Sequence, residues 1–336
     1  MKLLICTQAI DKNHPILGFF HRWVEEFAKH CEVVHVICLQ EGEHSLPANV
    51  HVHSLGKESG QSRLKYLWRF YRLIWKLRHE YDSVFVHMNQ IYVILGAPLW
   101  RAFDKRIGLW YMHGSVPLTL RLAEKMTNVV FTGSPESFKL ISKKVLVTGH
   151  GIDTKHFSLR SVQKDIDIIT VGRLSPSKNL IESINVLSKL QQEGQYCSLI
   201  IIGKALNVDD VVYQQKLEAE ITAQNLQSSV HFIGPVSQQD LPEYLSRAKV
   251  FLHTAQNGSL DKAILEAMAV GLPVVSSAPG SASLSLGEAY ARTAEELGEQ
   301  IKKVLESNSY HRPDYVNYVV EQHGLNALIP KIVSNL

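Results

Sequence analysis

Cysteine is scarce, at four in 336 residues, and Cys6, Cys31, Cys38 and Cys197 show no CxxC spacing. A disulfide framework or a cysteine-based zinc site is therefore disfavoured, and free thiols in a reducing, cytoplasmic setting are expected. No apolar run approaches the roughly 18 residues a membrane-spanning helix needs, and Met1-Lys2-Leu3-Leu4-Ile5-Cys6 reads as a strand rather than a leader. The sixteen histidines form no HExxH, and His35, His51 and His53 read as the outer face of strands, so no metal site is expected. There is no GxGxxG after the first strand and no GxxxxGK[ST] anywhere, which argues against simple dehydrogenases and P-loop NTPases. Net charge of one sign is nearly lacking too, at +3 overall. Its distribution is uneven: residues 1–158 carry 20 Lys and Arg against 13 Asp and Glu, or +7, and the rest carries 15 against 19, or −4. The first half is basic, and an anionic partner is expected for it. Nucleic acid fits poorly, because no binding motif accompanies the charge.

With 45% hydrophobic and 20% charged residues, the chain is long enough for two domains. Short β-branched runs alternate with helical patterns, the signature of a parallel sheet with crossover helices. Expected strands are Lys2–Cys6, Glu32–Cys38, Ser83–His87, Arg106–Met112, Val129–Thr132 and Lys144–Thr148, then Asp167–Val171, Ser198–Ile202, Val230–Ile233, Val250–His253 and Pro273–Ser276. Helices are expected at Gly18–His30, Leu64–Tyr81, Asn179–Gln192, Val211–Gln224, Asp240–Ala248 and Leu260–Val270. The fold class is α/β, with two Rossmann-like doubly wound domains facing a cleft: residues 1–160, residues 161–314, and a helical segment 315–336 that crosses back to the first. Ligands of such sheets bind outside the carboxyl ends of the strands.

Two stretches carry chemistry. NGSLDKAILEAMAVGLPVVSS, from Asn257 to Ser277, reads as loop, helix, turn and strand, with Ser259 as a candidate cap and Gly271 as the stop. Its helix is apolar and small except for Glu266. A carboxylate there suits vicinal hydroxyls of a ribose, or is merely a paired core acid. From Ser259 to Glu266 is about 10 Å of helix axis at 1.5 Å per residue. In the second stretch, GRLSPSKN, Arg173 and Lys178 flank a turn that opens a helix. A guanidinium fork plus an ammonium suits a diphosphate, which must be neutralised if it is to leave; two solvated surface charges are the alternative.

Together and in this order, GRLSPSKN and SLDKAILEAMAVGLPVV resemble the retaining family-4 glycosyltransferases of the GT-B fold, whose pattern is G-R-x-x-x-x-K-x before an E-x7-E helix ending G-x-P-V-V. The likeness is strongest over residues 165–280. It implies transfer of a sugar from a nucleotide-diphosphate sugar to a hydroxyl acceptor, a glycan or a lipid-linked one, as in polysaccharide biosynthesis. Arg173 and Lys178 would hold the diphosphate, Glu266 the ribose hydroxyls, and His113, in Tyr111-Met112-His113-Gly114, the transferred sugar. The departing diphosphate would help deprotonate the acceptor hydroxyl. No metal is implied, the two cations and helix amides taking its place. Gly18 lies where the family has a glycine-bearing loop on the cleft, counted here with the donor side. Gly149-His150-Gly151-Ile152-Asp153 with Phe157 looks like the family's N-G-V-D…F stretch, His150 replacing the Asn. One departure stands out: the first Glu of E-x7-E falls on Gly258. The segment Gly258-Ser259-Leu260-Asp261-Lys262 is then expected to meet the donor by backbone amides, with Asp261 as an auxiliary sugar contact. A sugar-nucleotide epimerase of similar fold, or a non-catalytic sugar-nucleotide-binding protein, is the alternative.

Residues 57–81 hold seven Lys and Arg against two Glu. Leu64, Leu67, Trp68, Tyr71, Ile74 and Trp75 fall on one helical face. Such a helix either docks on an anionic membrane surface, making the protein peripherally membrane-associated, or packs that stripe on its own sheet.

Overall fold

Alternating β-branched and amphipathic segments give, in a computed structural model, two α/β units: Met1–Asp153 with Gln322–Leu336, and Thr154–Glu321. The structure describes every residue except Pro15, Asn257, Ser283 and 285–289. The first unit holds seven strands: β1 (Lys2–Ile10), β2 (Val33–Glu41), β3 (Val50–Ser54), β4 (Ser83–His87), β5 (Arg106–Trp110), β6 (Val129–Thr132) and β7 (Val145–Val147). They form one all-parallel sheet in the order β3-β2-β1-β4-β5-β6-β7. Both faces are covered, which is why the central strands are apolar almost throughout. On one face α2 (Arg63–Lys76), α3 (Gln90–Ala102) and α4 (Leu118–Met126) bury Phe70, Ile74, Val93, Trp100 and Leu120. On the other, α1 (Gly18–His30) packs Phe20, Trp23, Val24 and Phe27 against Leu325, Leu328, Ile329 and Ile332 of the chain's last helix, Leu325–Ser334.

The second unit is built from β8 (Ile166–Val171), α5 (Leu180–Gln192), β9 (Leu199–Ile202), α6 (Val208–Ala223), β10 (Val230–Gly234), α7 (Leu241–Arg247), β11 (Ala248–His253), α8 (Lys262–Ala269) and β12 (Val274–Ser276), followed by α9 (Ala294–Ser307) and α10 (Pro313–His323). The last helix of the chain is α11. The sheet is again parallel, in the order β10-β9-β8-β11-β12. Connections run one way from β8 to β9 and the other way to β11, which makes the carboxyl ends of β8 and β11 the switch point at which such sheets bind ligands.

Several expectations needed correction. β1 runs to Ile10 because Ala9 and Ile10 stay paired with Gln40 and Glu41. α3 and α4 form where the sequence suggested no regular element, while β3 carries His51 and His53 on the strand expected of them. His35 is buried rather than outward-facing: β2 lies inside the sheet, and its ring is covered by His53, whose Nε2 is 3.2 Å away, and by Glu80 at 3.3 Å. α2 is rotated from the expected stripe. Phe70 and Ile74 point inward, while Leu64, Trp68 and Trp75 are 80%, 57% and 52% exposed. All four cysteines are free and buried.

The C-terminal helix is thus core of the first unit. Ile329→Ala is expected to lower stability by about 2–5 kcal/mol, the usual range for a fully buried aliphatic side chain, read as a lower urea midpoint.

Candidate functional site at the carboxyl ends of β8 and β11

β8 delivers Gly172 and Arg173 to this switch point. Gly172 donates its N–H to Ile202 at 2.9 Å, and the aliphatic stem of Lys178 runs across it: a Cβ there would stand 3.2 Å from Lys178 Cε. Gly203, at φ +147°, closes against the Gly172 carbonyl, where a Cβ would fall within 1.8 Å of the oxygen. Pro176–Lys178 make one 3-10 turn that ends on Asn179 in the left-handed region, φ 49° and ψ 42°. Thr254 after β11 donates its hydroxyl to the Lys178 and Asn179 carbonyls at 3.2 and 3.0 Å. The lysine is aimed by backbone geometry and by its neighbouring strand together.

Each cation meets a carboxylate. Arg173 Nε lies 3.3 Å from Asp210 Oδ2, and Asp210 is buried and accepts the Leu206 N–H at 3.0 Å. Lys178 Nζ pairs with Asp261 Oδ2, which also lies 3.5 Å from His253 Nε2. Burial alone would raise the Asp261 pKa, but the Lys178 ammonium above all, with the Ala263 N–H adding to it, holds the carboxyl below its ordinary value. His253 is fully enclosed, and burial pushes its pKa down to about 4, leaving the ring uncharged at neutral pH.

α8 begins at Lys262 with Asp261 at the N-cap position, not at Leu260 with a Ser259 cap. Its end is as expected: Gly271 sits at φ +71°, Gly271 N–H bonds to Met268 O at 2.9 Å and Leu272 N–H to Ala267 O at 3.0 Å. That pair of bonds is the Schellman closure, which favours glycine at this position. Glu266 projects from the middle of α8 and is 3% exposed. Lys262 Nζ lies 2.8 Å from Glu266 Oε1 but off the hydrogen-bonding direction, so that buried oxygen has a charge beside it and no aligned donor. Gly258 is exposed, Ser259 half-buried and Leu260 buried, so the Leu260 side chain anchors the loop. Gly280 packs directly on the Ser259–Leu260 peptide, its missing Cβ 2.2 Å from Ser259 O.

Arg173, Lys178, Asp261, Lys262 and Glu266 therefore all lie in the second unit, on the segments that follow β8 and β11. Gly18 and His113 belong to the first. Gly18 is the first residue of α1, after β1. His113 is exposed after β5, its Nδ1 accepting the Ser115 N–H at 3.0 Å and facing Ser115 Oγ at 2.8 Å. Asp210 and His253 were not foreseen; only the position of His253 at the end of a strand hinted at it. Among the described residues no group of three or more His, Cys, Asp or Glu is placed to hold a metal ion.

Residues 151–319, just over half of the chain, match the family described as glycosyl transferases group 1. The chain belongs to that family. The amylovoran biosynthesis glycosyltransferase AmsK of Erwinia amylovora is 33% identical over 145 residues, 40% of this chain and 34% of AmsK. A GDP-Man:Man(3)GlcNAc(2)-PP-Dol alpha-1,2-mannosyltransferase of Mus musculus is 28% identical over 124 residues, 35% of this chain and 25% of that protein. These alignments span about a third or less of the curated relatives' length. In fold, the chain is similar over 100% of both chains to Anabaena HepE, solved in complex with UDP and glucose, with a TM-score of 0.76 at 19% identity. It is similar to WaaG, a glycosyltransferase involved in lipopolysaccharide biosynthesis, with a TM-score of 0.67 at 14% identity over 99% of this chain and 98% of WaaG. The two parallel sheets are those of the GT-B architecture.

Because Gly280 supports the Ser259–Leu260 peptide from below, Gly280→Ala must push backbone aside. It is expected to destabilise the second unit by about 1–3 kcal/mol, as overpacking typically does, measured as a lowered unfolding midpoint.

Proposed function

We propose that this protein transfers a glycosyl group, with retention at the anomeric carbon, from a nucleotide-diphosphate sugar to a hydroxyl acceptor. The observation that carries the reading is one cluster at the switch point of the second sheet: Arg173 and Lys178 after β8, with the buried carboxylate of Glu266 on α8. A guanidinium and an ammonium neutralise a diphosphate as it departs, and the desolvated Glu266 carboxylate, with the Lys262 ammonium beside it, suits hydrogen bonds from two ribose hydroxyls. The bond from the anomeric carbon to the leaving phosphate oxygen breaks, the acceptor oxygen bonds to that carbon, and its proton passes to the departing diphosphate. Gly258–Lys262 would border the donor sugar and phosphates, and the family resemblance adds His113 and Gly18 as donor contacts. We place no metal in the reaction: the leaving charge is met by Arg173 and Lys178.

The acceptor we propose is lipid-linked, reached at a membrane surface from the cytoplasmic side. No helix among the described residues is long and apolar enough to cross a membrane. α2, however, has two apolar faces: Phe70 and Ile74 inward, Leu64, Trp68 and Trp75 outward. Its outer face carries Arg63, Lys65, Arg72 and Lys76, and the helix contains no carboxylate. Arg72 lies over the Trp68 ring at 5.2 Å and Arg78 over Trp75 at 4.7 Å. A groove of ≈ 690 Å³ runs between this face and Leu99 of α3. Interfacial tryptophans beside unopposed cations suit an anionic bilayer surface.

For the chemistry, Arg173→Ala and Lys178→Ala should each lower kcat by about 10²–10³, the usual loss for a contact to developing charge, without loss of fold and with the wild type fully active in EDTA. Rates within threefold of wild type would remove the assignment, and donor conversion without acceptor would favour an epimerase. For the membrane, Arg72→Glu with Lys76→Glu should lower co-sedimentation with anionic vesicles at least about tenfold, at roughly 1 kcal/mol per basic residue near the surface. Arg69 is left out because its guanidinium is bonded to Leu55 O at 3.0 Å. Equal sedimentation with neutral and anionic vesicles would refute the docking.

A further inference from the structure

Lys178 and Asp261 stand 83 residues apart in sequence and meet because β8 and β11 are neighbours in the sheet. Asp261 occupies the N-cap position of α8, where the Ala263 N–H helps to hold its carboxyl low, and its Oδ2 turns to the lysine. The two side chains are only 18% and 16% exposed. A buried ammonium without a counter-charge is strongly unfavourable. Asp261 is the counter-charge here, and His253 Nε2, which has no hydrogen-bond partner, stands 3.5 Å behind the same carboxylate oxygen. Arg173 differs. Its partner Asp210 is 2% exposed and tied to the Leu206 backbone, a fixed part of the scaffold. Asp261 lies next to the loop that begins at Gly258, where the family pattern has a glutamate and this chain has none.

We infer that Asp261 is the resident counter-ion of Lys178: it holds the ammonium in the phosphate position until a diphosphate arrives, gives it up to the donor, and takes it back as the nucleoside diphosphate leaves. The inference rests on the diphosphate reading of Lys178 given above. A diphosphate carries more charge than one carboxylate and so wins the lysine while bound. His253, uncharged, offers the freed carboxylate a ring N–H within a small rotation, which keeps it from following the lysine. The exchange lowers the affinity of the site for the spent nucleotide and so favours turnover. It also ties Asp261 to the phosphate end of the donor, beyond the sugar contact its position in the loop suggested. Asp261 is a positioning residue in this scheme and acts through Lys178.

The test is calorimetric titration of the full chain with UDP and, separately, GDP, on wild type, Asp261→Asn, Lys178→Met and the double variant. With Lys178 present, Asp261→Asn should tighten the bound nucleotide about fivefold or more, at the low end of the usual range of coupling between sites. KM for the donor should fall together with kcat, because release slows. In the Lys178→Met background, Asp261→Asn should change affinity less than twofold. Asp261→Ala should act in the same direction as Asp261→Asn, which separates lost charge from a defect of the amide. Weakened or unchanged binding in Asp261→Asn, or equal tightening without Lys178, would overturn the counter-ion role. Binding that Lys178→Met weakens while Asp261→Asn leaves it alone would keep the diphosphate reading and reject the counter-ion alone. A wild type that binds neither UDP nor GDP would reject both.

Discussion

Everything chemical in the second unit depends on one topological constraint, the reversal of winding at β8. A strand that sends one connection to β9 and receives its other neighbour from β11 leaves a gap in the helical cover at its carboxyl end. Side chains that no local rule would bring together meet there. Arg173 finds Asp210 on α6, and Lys178 finds Asp261 before α8. Each pair joins a residue that follows β8 to one that follows a neighbouring strand. Neither pair could form on a single helix or hairpin.

That convergence needs backbone to approach backbone, and glycine is how the chain allows it. Gly203 meets the Gly172 carbonyl, and Gly280 meets the Ser259–Leu260 peptide. The loops carrying the two cations and the Gly258–Lys262 segment are therefore set by main-chain contact rather than by flexible side chains. Preorganisation of this kind matters where charge develops during a reaction, because donors and cations already in place need not reorganise.

Much of this was legible in the chain and some was not, and the dividing line is sequence distance. The strands announce themselves by β-branched runs, and the stop of α8 at Gly271 by the glycine that a Schellman closure favours. Glu266 stands out because it is the lone carboxylate on an apolar helix. Arg173 and Lys178 stand out as cations beside a turn. Their partners were not readable, because nothing local marks Asp210 among the acids of α6 or His253 at the end of an apolar strand. The α8 start was misplaced for a related reason: Ser259 has the chemistry of a cap, but the Ser259–Leu260 peptide is committed to Gly280 and the helix waits until Lys262. α3 escaped notice because Gly96 and Pro98 inside it contradict local helix propensity, and packing on the sheet overrides them.

α2 shows how periodicity can point to a real face and misassign its use. The stripe from Leu64 to Trp75 is amphipathic as expected, but the sheet takes only its Ile74 edge together with Phe70, which lay outside it. A helix with one apolar face spends it on the core; a helix with two has one left over. The remaining face is too aromatic and too basic for ordinary solvated surface, where large apolar side chains stand singly. Arg72 and Arg78, stacked on Trp68 and Trp75, keep those rings at the surface with charge beside them. The same residues could not serve the fold if turned inward, since four buried cations would stand without carboxylate partners on their own helix. The outer face of α2, aromatic and basic together, is the surface on which the proposed docking to an anionic membrane rests.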